Sequence, residues 1–297
     1  MNLYGDKYAL LDEFRAFSLI DLKYRNIDPI YEVISKSTMS SKDKKRFILS
    51  SLLNHDVRQS IILASEENDK SYYDLLKKQY EEGKVAKERK DVASRETNSK
   101  SRTYGTQIPL LRMKKPEEWV DLVIDRVIKT KSWGESMKVA KLIPTFGEYF
   151  AFKVSDMVES VFNIDSYEVV WDDWFRKSLP KGALTGFETV LTGKKLIQRQ
   201  ISEIRLDMNL INFFDNELKY FSSFVCPHNE NRMIGVGEIE TFLCDFRKHK
   251  KGTFLHGGKV EKIIEGLDKS SSCRIHKDLL NGATNLIYNY NTLKGEL

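Results

Sequence analysis

Apolar side chains recur every three or four residues in segment after segment of this chain, while runs that alternate apolar with polar residues are few. That period belongs to a helix with one buried stripe, not to a pleated strand. It predicts helices over 7–19, with Leu10, Leu11, Phe14 and Phe17 on one face, and over 28–35, 41–64 and 69–82, the last stopped by Gly83. Helix resumes at Pro116, whose fixed φ suits a first turn and which is followed by Glu117 and Glu118 at the positive end of the helix dipole. Further helices are predicted over 134–143, from about 148 through Val161, over 199–221 and over 237–250, and the last forty residues read as two short helices around Asn281-Gly282. Residues 167–193 are mixed, and Cys226-Pro227-His228 marks a turn. The expected class is mainly α.

A length of 297 residues suits one large domain or two small ones, and the chain reads as one helical domain over 1–297. Its N-terminal helical part is 1–83, a basic arm or loop covers 84–106, and a hairpin-containing part covers 107–297. No run of apolar residues is long enough to span a membrane and no signal peptide opens the chain, so a cytosolic protein without a membrane partner is expected. Lys and Arg exceed Asp and Glu by 48 to 43, giving +5, too little to name an anionic partner. The distribution says more, because positive charge collects at 84–115 and again at 247–251. From Gly83 to Thr106 aliphatic side chains almost vanish while Lys84, Lys87, Arg89, Lys90, Arg95, Lys100 and Arg102 accumulate. A solvated linker and an arm that binds a polyanion both fit.

Between two predicted helices lies Ile143-Pro144-Thr145-Phe146-Gly147. A helix-hairpin-helix element holds a phosphate with backbone N–H groups at the turn and the dipole of the helix that follows. Gly147 is the residue such a turn requires, and Thr145 stands where the usual pattern has its first glycine; a plain structural turn fits as well. In the later helix Ile239, Phe242, Leu243 and Phe246 form the buried stripe and set the register. Asp245 and Lys248 then share a neighbouring face, and Arg247, Lys248, His249, Lys250 and Lys251 make a cationic end that also suits the helix dipole. Cys226, Cys244 and Cys273 are expected to be reduced. The spacing of Cys226, His228, Cys244 and His249 matches no usual zinc pattern, so no metal and no cofactor are expected. GxSxG, GxGxxG after a strand and GxxxxGK[ST] are all absent, which removes the familiar signatures of hydrolase elbows, dinucleotide sites and nucleotide triphosphate sites.

Ile143-Pro144-Thr145-Phe146-Gly147-Glu148-Tyr149-Phe150-Ala151, with Asp156 beyond it, and Ile239-Glu240-Thr241-Phe242-Leu243-Cys244-Asp245-Phe246-Arg247-Lys248-His249 together resemble the alpha-glutamyl/putrescinyl thymine pyrophosphorylase family, the amino acid:DNA transferases. The later block of that family typically reads Leu-Cys-Glu-Phe-x-Lys-Tyr, so Asp245 is a conservative change and His249 replaces the tyrosine. Lys181-Gly182-Ala183-Leu184-Thr185-Gly186 is similar to its glycine-containing turn, and the arm ending at Arg102 lies where the family carries an Arg-rich stretch.

The resemblance implies a phage-type enzyme with a helical fold like that of the helix-hairpin-helix DNA glycosylases, acting in the bacterial host cytoplasm. Its substrates would be DNA containing modified thymine and a small amine or amino acid. The amine displaces pyrophosphate from activated 5-hydroxymethyluracil. Such chemistry requires a base out of the stack, a neutral amine and cations for the leaving group. Tyr149, Trp171 and Trp174 are then candidates to stack on the base, and Asp156 and Asp245 to act as base or amine anchor. Lys248, Lys251, Arg176, Lys181 and Arg102, with the Thr145–Gly147 hairpin, are candidates to hold DNA or pyrophosphate. Asp165, Asp172 and Asp173 follow the hairpin by the distance at which such glycosylases keep a catalytic aspartate, so excision of a base is the alternative reaction. Binding of DNA without catalysis is a third reading.

Overall fold

The apolar spacing is realised as helix almost throughout. The computed structural model describes residues 8–25, 27–82, 84, 104–162, 164, 179–194 and 199–294. In chain order these form α1 (Leu11–Lys23), α2 (Pro29–Lys36), α3 (Ser41–Asn54), α4 (Val57–Ala64), α5 (Asp69–Glu81), α6 (Tyr104–Leu111), α7 (Pro116–Thr130), α8 (Trp133–Ala140) and α9 (Glu148–Phe162). There follow α10 (Lys181–Thr192), α11 (Ile201–Leu206), α12 (Met208–Tyr220), a short antiparallel ribbon of β1 (Val225–Cys226) and β2 (Asn229–Met233), then α13 (Val236–Lys250), α14 (Gly258–Asp268) and α15 (His276–Lys294). The fold is mainly α, as the periodicity predicts. None of the described helices is long and apolar enough to cross a membrane.

Three boundaries differ from the sequence reading, two of them for a local reason. The expected helix over 41–64 is two helices, because His55 adopts a left-handed φ of 56° and the Asp56 side chain then caps α4 by accepting the Gln59 N–H at 2.9 Å. The helix expected over 199–221 breaks at Asp207, which leaves helical geometry with ψ 118° and accepts the Asn209 N–H at 2.9 Å. At the C-terminus Gly282 interrupts nothing and lies inside α15. A Cβ there would strike the Val33 carbonyl oxygen, so its glycine serves close approach to another backbone, not a turn.

The described residues fall into two compact units, one drawn from 1–29, 169–260 and 286–297, the other from 30–168 and 261–285. The second unit encloses a buried cation. Arg46 on α3 donates to Glu117 on α7 at 2.9 Å, to Asp69 at the start of α5 and to the Glu66 carbonyl. Each of its guanidinium nitrogens thus meets an acceptor, which is what permits burial of the charge. The hairpin helices α8 and α9 belong to this unit and are joined by a buried Ser136–Ser155 hydrogen bond of 2.6 Å and by the stacked rings of Trp133 and Phe152, 5.1 Å apart.

The first unit has an aromatic core. Phe14 lies 5.5 Å from both Phe213 and Phe246, and Phe213 meets Phe187 at 5.5 Å. Helix α13 packs against α1, α10 and α12. The Lys181–Gly186 segment, expected as a turn, is instead the first half of α10, and its glycines face α13. A Cβ on Gly186 would strike the Leu243 carbonyl oxygen, whereas one on Gly182 would meet only the Cys244 Sγ, at 2.6 Å. These two contacts differ in what can yield. Gly186→Ala should lose about 1–3 kcal/mol of stability in a urea melt whatever occupies position 244. Gly182→Ala should be destabilising in the native background and close to neutral when combined with Cys244→Ala. Equal costs for Gly182→Ala in both backgrounds would contradict this account of the helix crossing.

Candidate active site

Helix α13 sets the register of the site. Ile239, Phe242, Leu243 and Phe246 are fully buried, as their spacing predicts. The same face carries Asp245 inward, also fully buried, and its two oxygens are taken by two ammonium groups: Oδ1 by Lys248 Nζ at 2.7 Å, Oδ2 by Lys259 Nζ at 2.5 Å. Lys248 is one helical turn beyond Asp245, so this pair follows from i,i+3 geometry alone. Lys259 comes from the start of α14 and also lies 3.9 Å from Asp28, which in turn accepts the Thr241 hydroxyl at 2.8 Å. Burial opposes the charge on Lys259, but the carboxylates of Asp245, Asp28 and Asp21 outweigh it and raise its pKa above the ordinary lysine range.

Asp21, near the end of α1, is the least compensated member. It is fully buried, and neither of its carboxylate oxygens has a hydrogen-bond partner among the described residues. Burial raises its pKa and the charge of Asp245 raises it further, against the opposing pull of His256 and Lys259. His256 directs a buried Nδ1 towards it at 3.6 Å, and its ring is stacked on Tyr24 and tilted against Phe17. With Asp21 protonated, the carboxylates of Asp28 and Asp245 are matched by the two lysines. Ionised, it leaves an extra negative charge in a desolvated place.

No family model matches the chain. A Putrescinyltransferase of Delftia phage PhiW-14 is 22% identical to it over 250 residues, which cover 82% of this chain and 74% of that protein.

The candidate residues are distributed between the two units. Asp245 and Lys248 come together in the first unit, where Lys251 and Lys181 are exposed at the end of α13 and the start of α10. Asp156 belongs to the second unit, buried on α9 with Lys153 Nζ at 3.4 Å. It stands about 13 Å along the helix axis from Gly147, at a rise of about 1.5 Å per residue. The hairpin corrects one expectation. Thr145, not Gly147, takes the left-handed backbone, with φ 76°, and a Cβ on Gly147 would meet nothing within 4 Å. The residue at the first-glycine position of the hairpin pattern thus adopts the conformation a glycine would supply. Tyr149 is exposed beside the hairpin, its ring edge-on to that of Phe150. Arg102, Asp165, Trp171, Asp172, Asp173, Trp174 and Arg176 lie outside the described residues, as does nearly all of the 84–106 arm.

Asp21, Asp28, His256 and Lys259 were not among the residues the sequence reading singled out. One signal was present, since Phe14, Phe17 and Asp21 follow at i, i+3 and i+7 and an acid therefore sits on a buried stripe.

The raised pKa has a definite consequence for stability. The folded chain binds the Asp21 proton more tightly than the unfolded chain does, where the value is the ordinary 3.8. That stabilising contribution is complete below the ordinary value and is lost as pH rises through the folded one. Asp21→Asn should therefore gain in melting temperature relative to the native chain as pH is raised from about 4 to about 7. A difference between the two that is constant across this range would show that Asp21 carries no unusual cost.

Proposed function

We propose that this chain is a phage-type transferase that joins an amine to a thymine-derived base in DNA. The observation that carries the reading is the pair of lysines, Lys248 and Lys259, fixed on one buried carboxylate while their side chains stay partly exposed. The similarity to a phage putrescinyltransferase supports a polyamine transferase. The resemblance of the two sequence blocks supports activated 5-hydroxymethyluracil as the acceptor and a fold related to the helix-hairpin-helix glycosylases.

Three tasks then fall to named groups. A diphosphate leaving group bound to a base methylene needs cations that are already in place when negative charge develops on its bridging oxygen. Lys248 and Lys259 meet that need, and Asp245 acts through them as a positioning residue because both of its oxygens are engaged. The attacking amine must lose a proton, since its protonated form has no lone pair. His256 is the candidate to accept it, its Nδ1 lying 3.6 Å from Asp21 Oδ1. In the reaction a carbon–nitrogen bond forms at the exocyclic methylene, the carbon–oxygen bond breaks and pyrophosphate departs. Asp28, partly exposed beside Lys259, is placed to hold the distal ammonium of a diamine. The exposed Tyr149 and the hairpin at Thr145–Gly147 remain candidates for the displaced base and a backbone phosphate.

The test is direct. DNA carrying pyrophosphorylated hydroxymethyluracil is incubated with the protein and either putrescine or amino acids, digested to nucleosides and weighed by mass spectrometry. Gain of the amine mass is expected. Abasic sites would replace transfer by excision, and unchanged nucleosides with every amine would overturn catalysis altogether. Lys248→Ala and Lys259→Ala should each lower kcat/KM by about 10²–10³-fold, and His256→Gln should lower kcat by about 10²-fold or more. Retained turnover in all three folded variants would remove this cluster from the mechanism.

A further inference from the structure

The hairpin between α12 and α13 brings together three groups that the proposed reaction does not use. Cys226 ends β1, His228 sits in the turn and Glu238 lies in the first turn of α13; all three are buried. One ligand atom from each lies within 4.8 Å of the others. The Cys226 Sγ is 3.4 Å from Glu238 Oε1, and His228 Nδ1 is 3.6 Å from the same oxygen. We propose that Cys226, His228 and Glu238 form a binding site for a zinc ion.

Spacing between the donors is the first argument. Tetrahedral zinc holds sulfur at about 2.3 Å and nitrogen or oxygen at about 2.0 Å, so ligand atoms on one ion lie about 3.3–3.5 Å apart. The separations from Glu238 Oε1 to Cys226 Sγ and to His228 Nδ1, 3.4 and 3.6 Å, match that spacing, and all three donors lie within 4.8 Å of one another. Orientation is the second. His228 Nε2 meets the Ile27 carbonyl oxygen, which makes Nε2 the protonated nitrogen and turns the lone pair of Nδ1 towards Cys226 and Glu238. Glu238 is fixed from the other side, its Oε2 accepting the Gly235 N–H at 2.8 Å. Both ligands therefore have the backbone support that metal-binding imidazoles and carboxylates normally carry. Charge is the third, since a thiolate and a carboxylate neutralise Zn²⁺, so the loaded site holds no net charge in a place shielded from water.

The donor set differs from the Cys226, His228, Cys244 and His249 combination, whose spacing matches no usual zinc pattern. Cys244 donates to Glu240 on its own helix at 3.0 Å and His249 packs against Phe17, so neither joins Cys226 and His228. Glu238 replaces them, and three protein ligands leave a fourth position for water. The ion would tie the β1–β2 turn to the start of α13, two helical turns before Asp245, and so hold in register the helix on which the lysine pair is built.

The test uses the full chain, stripped with a chelator, and Zn²⁺ or Co²⁺ alone as probe. About one Zn²⁺ per chain should be retained after gel filtration and measured by atomic emission, and adding it should raise the melting temperature of the stripped protein. Co²⁺ should produce the intense near-ultraviolet charge-transfer band of a thiolate ligand. Cys226→Ser should lose the band, and Glu238→Gln should bind at least tenfold more weakly, each with the helical circular dichroism of the native chain. If a variant fails to fold, the native chain still decides. Absence of both metal retention and the thiolate band would overturn the site, and a band that survives Cys226→Ser would move it to Cys244 or Cys273.

Discussion

Helix α13 sends three acidic side chains, Glu238, Glu240 and Asp245, into the interior of its unit, and the neighbouring structure is arranged to answer them. A buried carboxylate without partners costs several kcal/mol, so each must find a donor or bind a proton. Glu238 meets Cys226, His228 and the Gly235 N–H; Glu240 accepts from Cys244; Asp245 takes two ammonium groups. The hairpin, the start of α13 and the beginning of α14 are thereby fixed to one helix by polar contacts. Packing alone would let these elements slide, since hydrophobic burial is non-directional. Removal of any one acid would leave the donor or cation paired with it without its match.

The close approach of α10 makes the same helix rigid from the other side. Gly182 and Gly186 are one turn apart on α10 and let its backbone reach Leu243 and Cys244. From the sequence alone these glycines read as a turn, because glycine signals conformational freedom and close approach equally. Gly282 was misread in the same way. The ambiguity is physical: nothing local in Lys181–Gly186 distinguishes a chain reversal from a helix whose partner lies some sixty residues away.

What was legible was whatever the helical period determines. The stripe on α13 and the Asp245–Lys248 pair follow from i,i+3 and i,i+4 geometry, and the first turn at Pro116 from the fixed φ of proline. What was not legible came from tertiary neighbours. Lys259 and Asp245 belong to different helices, and His256 reaches Asp21 across more than two hundred residues. The breaks at His55 and Asp207 were visible only as capable residues, since an aspartate that can cap a helix can also lie within one. The hairpin falls between these cases. Its place between two helices was readable, while the backbone conformation belongs to Thr145 and not to the glycine that should have been most permissive.

The cationic run at 247–251 shows why local charge counting overstates a polyanion surface. Lys248 is committed to Asp245 and Lys250 to Glu13, while His249 is packed between Phe17 and Phe246 and held below the usual imidazole range by burial and by His256. Charges neutralised by partners within the protein organise little counterion exchange with DNA, so they add little to a salt-dependent affinity. Lys251 remains exposed at the helix end. A protein whose surplus is only +5 therefore commits much of this run to contacts within the chain and not to attracting a duplex. In the transfer proposed above, ammonium groups held in advance by a buried carboxylate would need little reorganisation when negative charge develops on the leaving group.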